Sequence, residues 1–275
     1  MRISINEIRD MKQRGEKIVM LTAYDYATAG IIDDAGVPLI LVGDSLGMVV
    51  LGYQSTIPVT MEEMLHHTKA VVRGTKSTVV VGDMPFMTYA SISDAQRNAA
   101  RFIQEAGAQT VKLEGGTNMA ETVNKIVSCG IPVMGHIGLT PQSINQLGGF
   151  KVQGKSDEAA ARLLNDARSL EQAGAFAVVL ETVPAQLAAL ITRSIAIPTI
   201  GIGAGAECDG QVQVISDILG LYKDFVPKHA KQYARLAEAS RAAIAQYASE
   251  VRDGTFPTDQ NSFSMDKEIL ERLSK

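Results

Sequence analysis

Cysteine is nearly missing from this 275-residue chain: only Cys129 and Cys208 occur, with no CxxC spacing. Two such thiols exclude a disulfide framework and point to a reducing compartment, where both serve as core or loop residues. Long hydrophobic runs are missing too. No apolar stretch reaches the roughly eighteen residues of a membrane span, and the opening segment MRISINEIRDMKQRGEK is charged and amphipathic, unlike a signal peptide. A cytoplasmic location is expected. The third absence is a basic stripe. With 26 Lys and Arg against 30 Asp and Glu the formal charge is -4, and the cations are scattered among acids, so neither nucleic acid nor a membrane surface is an expected partner.

What is present is a chain of 46% hydrophobic residues, enough for a full core and of a length that suits one barrel domain over 1–275. Short β-branched runs recur at 18–22, 39–42, 78–81, 110–113, 133–136, 177–180, 199–202 and 212–215. Helix-like stretches lie between them, among them 61–75, 93–105, 157–173 and 184–194. Alternation of apolar strands with helices predicts a parallel sheet covered by helices, and eight units close a (β/α)8 TIM barrel, an α/β fold preceded by an N-terminal helix. The eighth strand and the helix before it have the thinnest support, because GAGAECDGQVQV leaves little helical sequence. An open doubly wound sheet is the alternative. The tail 263–275 reads as a short charged helix.

A repeat appears when helix ends are aligned: EAGAQTVKLEG and QAGAFAVVLET each place a glycine stop before a strand. In both, a glutamate follows the glycine at the C-terminal end of the strand, Glu114 after Gly107 and Glu181 after Gly174. Other units end likewise in Asp44, Asp83 and His136. In a barrel these five residues converge on the C-terminal face, where barrel enzymes carry their reactive groups. One such carboxylate alone has a plain structural use, as a helix cap or a partner of a neighbouring lysine. Four crowded into one mouth repel each other, and an oxygen-rich set with little histidine suits Mg2+ better than zinc.

Lys112 and Glu114 stand two apart on one strand and share its interior side. A lysine buried there either neutralises the acids or holds an anionic substrate. The run GIGAG at 201–205 is either a phosphate-holding loop or a tight turn under a crowded mouth. GGFKVQGK at 148–155 is either a lid or a simple connection. His66, His67 and His229 carry no ligand-like spacing and read as surface or packing residues.

Longer strings carry a resemblance. TAYD, LVGDSLGMVVLGYQST, GDMPFMTY, VKLEGG, GHIGLTPQS, GGFKVQGK, LETVP and IGIGAG, spread over nearly the whole chain, closely resemble ketopantoate hydroxymethyltransferase. The resemblance implies an enzyme of pantothenate synthesis, on the coenzyme A pathway, in which 5,10-methylenetetrahydrofolate donates a hydroxymethyl group to 3-methyl-2-oxobutanoate, giving 2-dehydropantoate and tetrahydrofolate. It implies one Mg2+ per subunit, with Asp44 and Asp83 as ligands and Glu114 completing the metal environment directly or through water. Ser45 and Lys112 are implied as substrate contacts beside Asp44 and Asp83, Glu181 as the proton acceptor, and His136 and Tyr24 as orienting partners in the same pocket. It also implies a homodecamer, a pentamer of dimers. Departures sit away from the chemistry, at His229 where an aromatic is common and at Gln213 where an aliphatic is usual.

Two other functions fit parts of the pattern. Another Mg2+-dependent 2-oxo acid lyase or mutase barrel, of the phosphoenolpyruvate mutase and isocitrate lyase kind, would carry a cysteine in a site loop, and here only Cys208 lies near one. A non-catalytic oligomeric scaffold would have no need to keep Asp44, Asp83, Glu114, Lys112 and Glu181 together.

Overall fold

Apolar runs too short for helices, bounded by glycine and polar residues, form eight strands: β1 (Ile18–Thr22), β2 (Leu39–Val42), β3 (Val79–Asp83), β4 (Thr110–Glu114), β5 (Val133–Gly138), β6 (Ala177–Glu181), β7 (Thr199–Ile202) and β8 (Gly210–Gln213). Each pairs in parallel with the next, and β8 returns to β1 through Ile18↔Gly210 and Met20↔Val212, closing the barrel. This is the computed structural model of the chain, describing residues 2–222 and 226–274; the outermost residues of the expected domain and tail, Met1 and Lys275, lie outside the described residues.

Every residue of β2, β3 and β4 is buried, as a strand with side chains on one face toward the barrel interior and on the other toward helices requires. Inside, Met20, Leu39, Leu41, Val79, Val81, Met134, Val179, Ile200 and Val212 pack as one cluster. The cluster sits toward the strand starts and is joined there by Ile8 of the N-terminal helix Ile5–Gln13. Lys12 of that helix donates to the carbonyls of Thr192, Ile195 and Ile197 and pairs with Asp209 at 2.9 Å, pinning the helix under the barrel. Packing at one end leaves the other end for polar side chains.

Helices end where the repeat places them. Gly107 and Gly174 have φ of +77° and +96°, in the left-handed region that a residue with a Cβ enters only at a cost. The helices Met61–Gly74, Ile92–Gln104 and Asp157–Gln172 start at Thr60, Ser91 and Ser156, whose hydroxyls each accept a backbone N–H of the first turn.

The eighth unit differs from expectation. Its strand runs Gly210–Gln213 rather than 212–215, and turns, not a helix, connect it to β7. Two features move it. A Cβ at Gly210 would lie 2.4 Å from the Ile18 carbonyl, so glycine sits at a close approach of β8 to β1. Ile215 instead opens the short helix Ile215–Leu219, and its N–H donates to Thr22 Oγ1 at 2.9 Å.

By its contacts the chain divides into two units. The barrel unit comprises Met1–Ser216 and Pro227–Ala230, and the second comprises Asp217–Val226 and Lys231–Lys275. The second unit carries the helix Leu236–Arg252 and, in the tail, the helix Lys267–Leu273, neither with a buried residue. Among the described residues no helix is long and apolar enough to cross a membrane.

Candidate active site

Asp83 and Glu114 are the last residues of β3 and β4, Glu181 is the last of β6, and His136 lies within β5 near its end. Tyr24, Asp44 and Ser45 follow β1 and β2. Parallel register brings strand ends to one face of the barrel, and β3 to β4 pairing sets Asp83 beside Lys112 while β4 to β5 pairing sets Glu114 beside His136. The sequence-derived residues are therefore brought together.

Lys112 Nζ stands 2.8 Å from Asp83 Oδ1 and 3.1 Å from His136 Nδ1. Asp83 Oδ2 accepts the backbone N–H of Asp44 at 3.2 Å. Tyr24 and Ser45 share a hydroxyl hydrogen bond of 2.9 Å, and the Tyr24 carbonyl lies 2.6 Å from His67 Nδ1. His67 thus braces the Tyr24 backbone, a contact its position in the helix Met61–Gly74 did not announce. His136 Nε2 lies 3.2 Å from Glu181 Oε2, and His136 Nδ1 lies 3.6 Å from Glu114 Oε1, too far for a hydrogen bond.

Burial and charge set the protonation of this cluster. Burial, then the neighbouring Asp83 charge, pushes the Asp44 carboxyl up to about 7. Burial likewise holds Glu114 well above the usual carboxylate range, although Lys112 pulls it back. For Lys112, burial alone would favour the neutral amine, but Asp83, Glu114 and Asp44 outweigh it and raise the ammonium above its ordinary range. His136 is lowered by burial and by the Lys112 charge, so its imidazole is neutral at physiological pH. An ammonium can only donate, so Nδ1 is the accepting nitrogen and the imidazole proton sits on Nε2, facing Glu181.

Among the described residues, no three His, Cys, Asp or Glu side chains are disposed as a ready-made metal cage. Mg2+ does not require one, since it binds through one or two carboxylates and keeps several waters or substrate oxygens. The donor set fits that pattern. Asp44 and Glu114 are raised carboxyls short of positive charge, and Glu114 Oε1 is buried without a hydrogen bond.

Two further polar residues complete the site without a distinguishing sequence signal, although both lie inside the strings that carry the resemblance. Gln142, in GHIGLTPQS, is buried and donates through Nε2 to Asp44 Oδ2 and through its backbone N–H to Glu114 Oε2. Tyr89, in GDMPFMTY, donates its hydroxyl to Gln142 Oε1. Their only sequence signal is a polar residue two or more places past a strand end, which loops carry commonly.

Two glycine-rich segments follow β5 and β7. In 148–155, Gln153 N–H donates to the Thr182 carbonyl at 3.0 Å and Gly154 packs on Leu163 and Leu187, while Phe150 is exposed. Gly203 of the GIGAG run lies against His229, and both line a groove of about 500 Å³ with Lys17, Val19 and Gln211. That groove opens beside the β8 to β1 seam, and none of the residues lining it belongs to the acidic cluster.

The sequence profile of the ketopantoate hydroxymethyltransferase family matches residues 2–259. A 3-methyl-2-oxobutanoate hydroxymethyltransferase of Dehalococcoides mccartyi (strain CBDB1) is 64% identical over 276 aligned positions, covering 100% of this chain and 99% of the relative. Another from Carboxydothermus hydrogenoformans is 60% identical, covering 99% of each. Among solved structures, a 2,3-dimethylmalate lyase of the PEP mutase/isocitrate lyase superfamily superposes with a TM-score of 0.60 at 19% identity, over 100% of this chain and 95% of that one. A phosphonopyruvate hydrolase superposes with a TM-score of 0.58 at 14% identity, over 99% and 95%. At such identities these two structures speak for the barrel fold alone.

Proposed function

This chain belongs to the ketopantoate hydroxymethyltransferase family, and from that premise we propose that it transfers a one-carbon unit from 5,10-methylenetetrahydrofolate to 3-methyl-2-oxobutanoate. Water enters and 2-dehydropantoate and tetrahydrofolate leave. The observation that carries the proposal is the placement of Glu181, which contacts His136 on the side away from Lys112 and Asp83. A small 2-oxo acid placed between them would meet cationic and hydrogen-bonding groups at one end and a carboxylate base at the other.

The C3 hydrogen of the substrate is weakly acidic, so the residues must both hold the dicarbonyl head and remove a proton. Lys112 provides a fixed positive charge for the substrate carboxylate and 2-oxo oxygens. Ser45, held by Tyr24, supplies a hydroxyl to the same end. Glu181 takes the C3 proton onto a carboxylate oxygen, with His136 Nε2 3.2 Å from that carboxylate. Water opens the methylene bridge of the folate, both C–N bonds breaking to release tetrahydrofolate and formaldehyde; the C3 carbanion adds to the formaldehyde carbon, and the alkoxide formed takes up the proton that Glu181 had removed. Asp44 and Asp83, with Glu114, would hold a Mg2+, which when bound acts as a Lewis acid toward the 2-oxo acid and stabilises negative charge developing on its oxygen. A homo-oligomer, a decamer of paired pentamers, and a cytoplasmic location belong to the same reading.

The test separates the half-reactions. The protein is incubated with 3-methyl-2-oxobutanoate and Mg2+ in D2O without folate, and the C3 proton is followed by NMR. Cation-dependent loss of that signal is the expected result. No loss, with or without tetrahydrofolate, would remove the enolising role.

A further inference from the structure

Gln142 has every hydrogen-bonding group of its side chain engaged, and its backbone N–H as well. Its amide nitrogen donates to Asp44 Oδ2 and to the Met84 carbonyl, each at 2.9 Å; its amide oxygen accepts from the Tyr89 hydroxyl; its backbone N–H donates to Glu114 Oε2 at 3.0 Å. Only 4% of its surface is exposed. The Met84 carbonyl can only accept, which settles which end of the amide faces Asp44. A reversed amide would set its oxygen against both that carbonyl and the Asp44 carboxylate.

The location makes these bonds consequential. Gln142 sits in the 3-10 turn Pro141–Ser143 that follows β5, with Pro141 opening the turn. From there it reaches the ends of three other strands: Asp44 after β2, Met84 after β3 and Glu114 on β4. It engages one oxygen of Asp44 and one of Glu114, and Glu114 Oε1 keeps no hydrogen bond. Two carboxyls that repel each other and are each short of positive charge are thereby fixed in rotamer by one neutral group. A lysine in that place would pair with them and compete with a cation, whereas an amide orients them and leaves the charge uncompensated.

We propose that Gln142 is a positioning residue for the cation site, presetting Asp44 and Glu114 so that one oxygen of each is free to face a divalent ion, with Tyr89 locking the amide in its donating orientation. This rests on the metal reading of Asp44 and Asp83 given above. The test uses Mn2+ as the probe, bound to the metal-stripped full-length protein and followed by calorimetry and by loss of its free paramagnetic signal. Wild type, Asp83→Ala, Gln142→Met and Tyr89→Phe are compared, with melting curves for each.

Wild type should bind Mn2+ and Asp83→Ala should not. Gln142→Met fills nearly the same volume without donors, and its Mn2+ affinity should fall by roughly ten- to a hundredfold, the range of a lost hydrogen bond to a charged group. Tyr89→Phe, altering only a half-buried loop hydroxyl, should weaken Mn2+ by a smaller factor in the same direction, about two- to fivefold. Wild-type Mn2+ affinity in folded Gln142→Met and in Tyr89→Phe overturns the positioning role while leaving the metal reading intact. A lowered melting temperature with unchanged affinity also overturns it, since a purely structural glutamine would behave that way. Failure of the wild type to bind Mn2+ overturns both.

Discussion

The imidazole of His136 presents Nε2 to Glu181 Oε2 at 3.2 Å while its Nδ1 accepts from Lys112 at 3.1 Å. Lys112 is kept protonated by three acids, so the direction of both contacts follows from it: donor into Nδ1, proton on Nε2, carboxylate beyond. A buried ammonium thereby fixes the tautomer of a neutral histidine and sets its Nε2–H beside the base, at 3.2 Å but outside hydrogen-bond geometry.

Glu181→Gln keeps the size of the side chain and removes its basicity. Exchange of the substrate C3 proton should slow by roughly 10²- to 10⁴-fold, the usual worth of a positioned acid or base, with Mn2+ affinity unchanged. His136→Ala leaves the carboxylate in place without its polar neighbour at 3.2 Å, and about a tenfold loss is expected. An Ala variant slower than the Gln variant would mean that the imidazole, not the carboxylate, takes the proton.

The raised Asp44 carboxyl has two consequences for pH. Its value shifts from 3.8 to about 7, so between these limits the folded, metal-free protein holds a proton that the unfolded chain releases. Stability from this group therefore falls as pH rises through that window and levels off above it. In a chelator, Asp44→Asn should gain stability relative to wild type between pH 5 and pH 8, read as the difference of two melting curves, which cancels the opposing contribution of buried His136. Cation binding needs the ionised carboxyl, so Mn2+ affinity should climb by roughly tenfold per pH unit below about 7 and flatten above it. Affinity independent of pH from 6 to 8 would exclude Asp44 as a ligand.

Much of this geometry is legible in the sequence, for local reasons. Gly107 and Gly174 mark helix ends by backbone chemistry, and Glu114 and Glu181 fall at strand ends because short parallel strands start soon after such a stop. Asp44 and His136 likewise follow a glycine and a short strand, after Gly36 and Gly130, and Asp83 ends the strand TVVVG. The eighth strand starts two residues before its apolar run predicts, because Ile215 opens a helix and the strand begins at Gly210, where the approach of the Ile18 carbonyl leaves no room for a Cβ. Gln142 and Tyr89 are not legible in the sequence for a different reason. Their roles consist of side-chain hydrogen bonds across strands distant in sequence, and nothing in the residue type distinguishes them from other polar loop residues.

Closure of the barrel gives a stability prediction. At Gly210 the nearest atom to an added Cβ is the backbone carbonyl of Ile18, at 2.4 Å, and a ladder carbonyl cannot swing aside as a side chain can. Gly210→Ala should cost about 1–3 kcal/mol, as overpacking does, read as a lower urea midpoint. Gly130→Ala is the control for an open position: nothing lies within 4 Å, and its penalty comes only from φ of +85°. An unchanged midpoint for Gly210→Ala would mean that the β8 to β1 seam yields more readily than a paired strand should.

Thr182 follows the base directly and carries φ of +53°, a left-handed conformation that β-branched residues rarely adopt. Both of its backbone groups are tied, the N–H to the Ile202 carbonyl at 2.8 Å and the carbonyl to Gln153 N–H at 3.0 Å. The surrounding bonds thus impose the turn, and the turn sets the direction in which Glu181 leaves β6. Asparagine tolerates this region, so Thr182→Asn should stabilise the protein by about 0.5–1 kcal/mol and keep proton exchange within about twofold of wild type. Glycine enters the region as freely but adds freedom everywhere else, so Thr182→Gly should leave stability within about 1 kcal/mol and slow exchange several-fold. Proline can neither take the dihedral nor donate to Ile202, and should cost about 3 kcal/mol or more. The informative comparison is Gly against Asn: equal exchange rates would mean that the strained turn contributes nothing to the aim of Glu181.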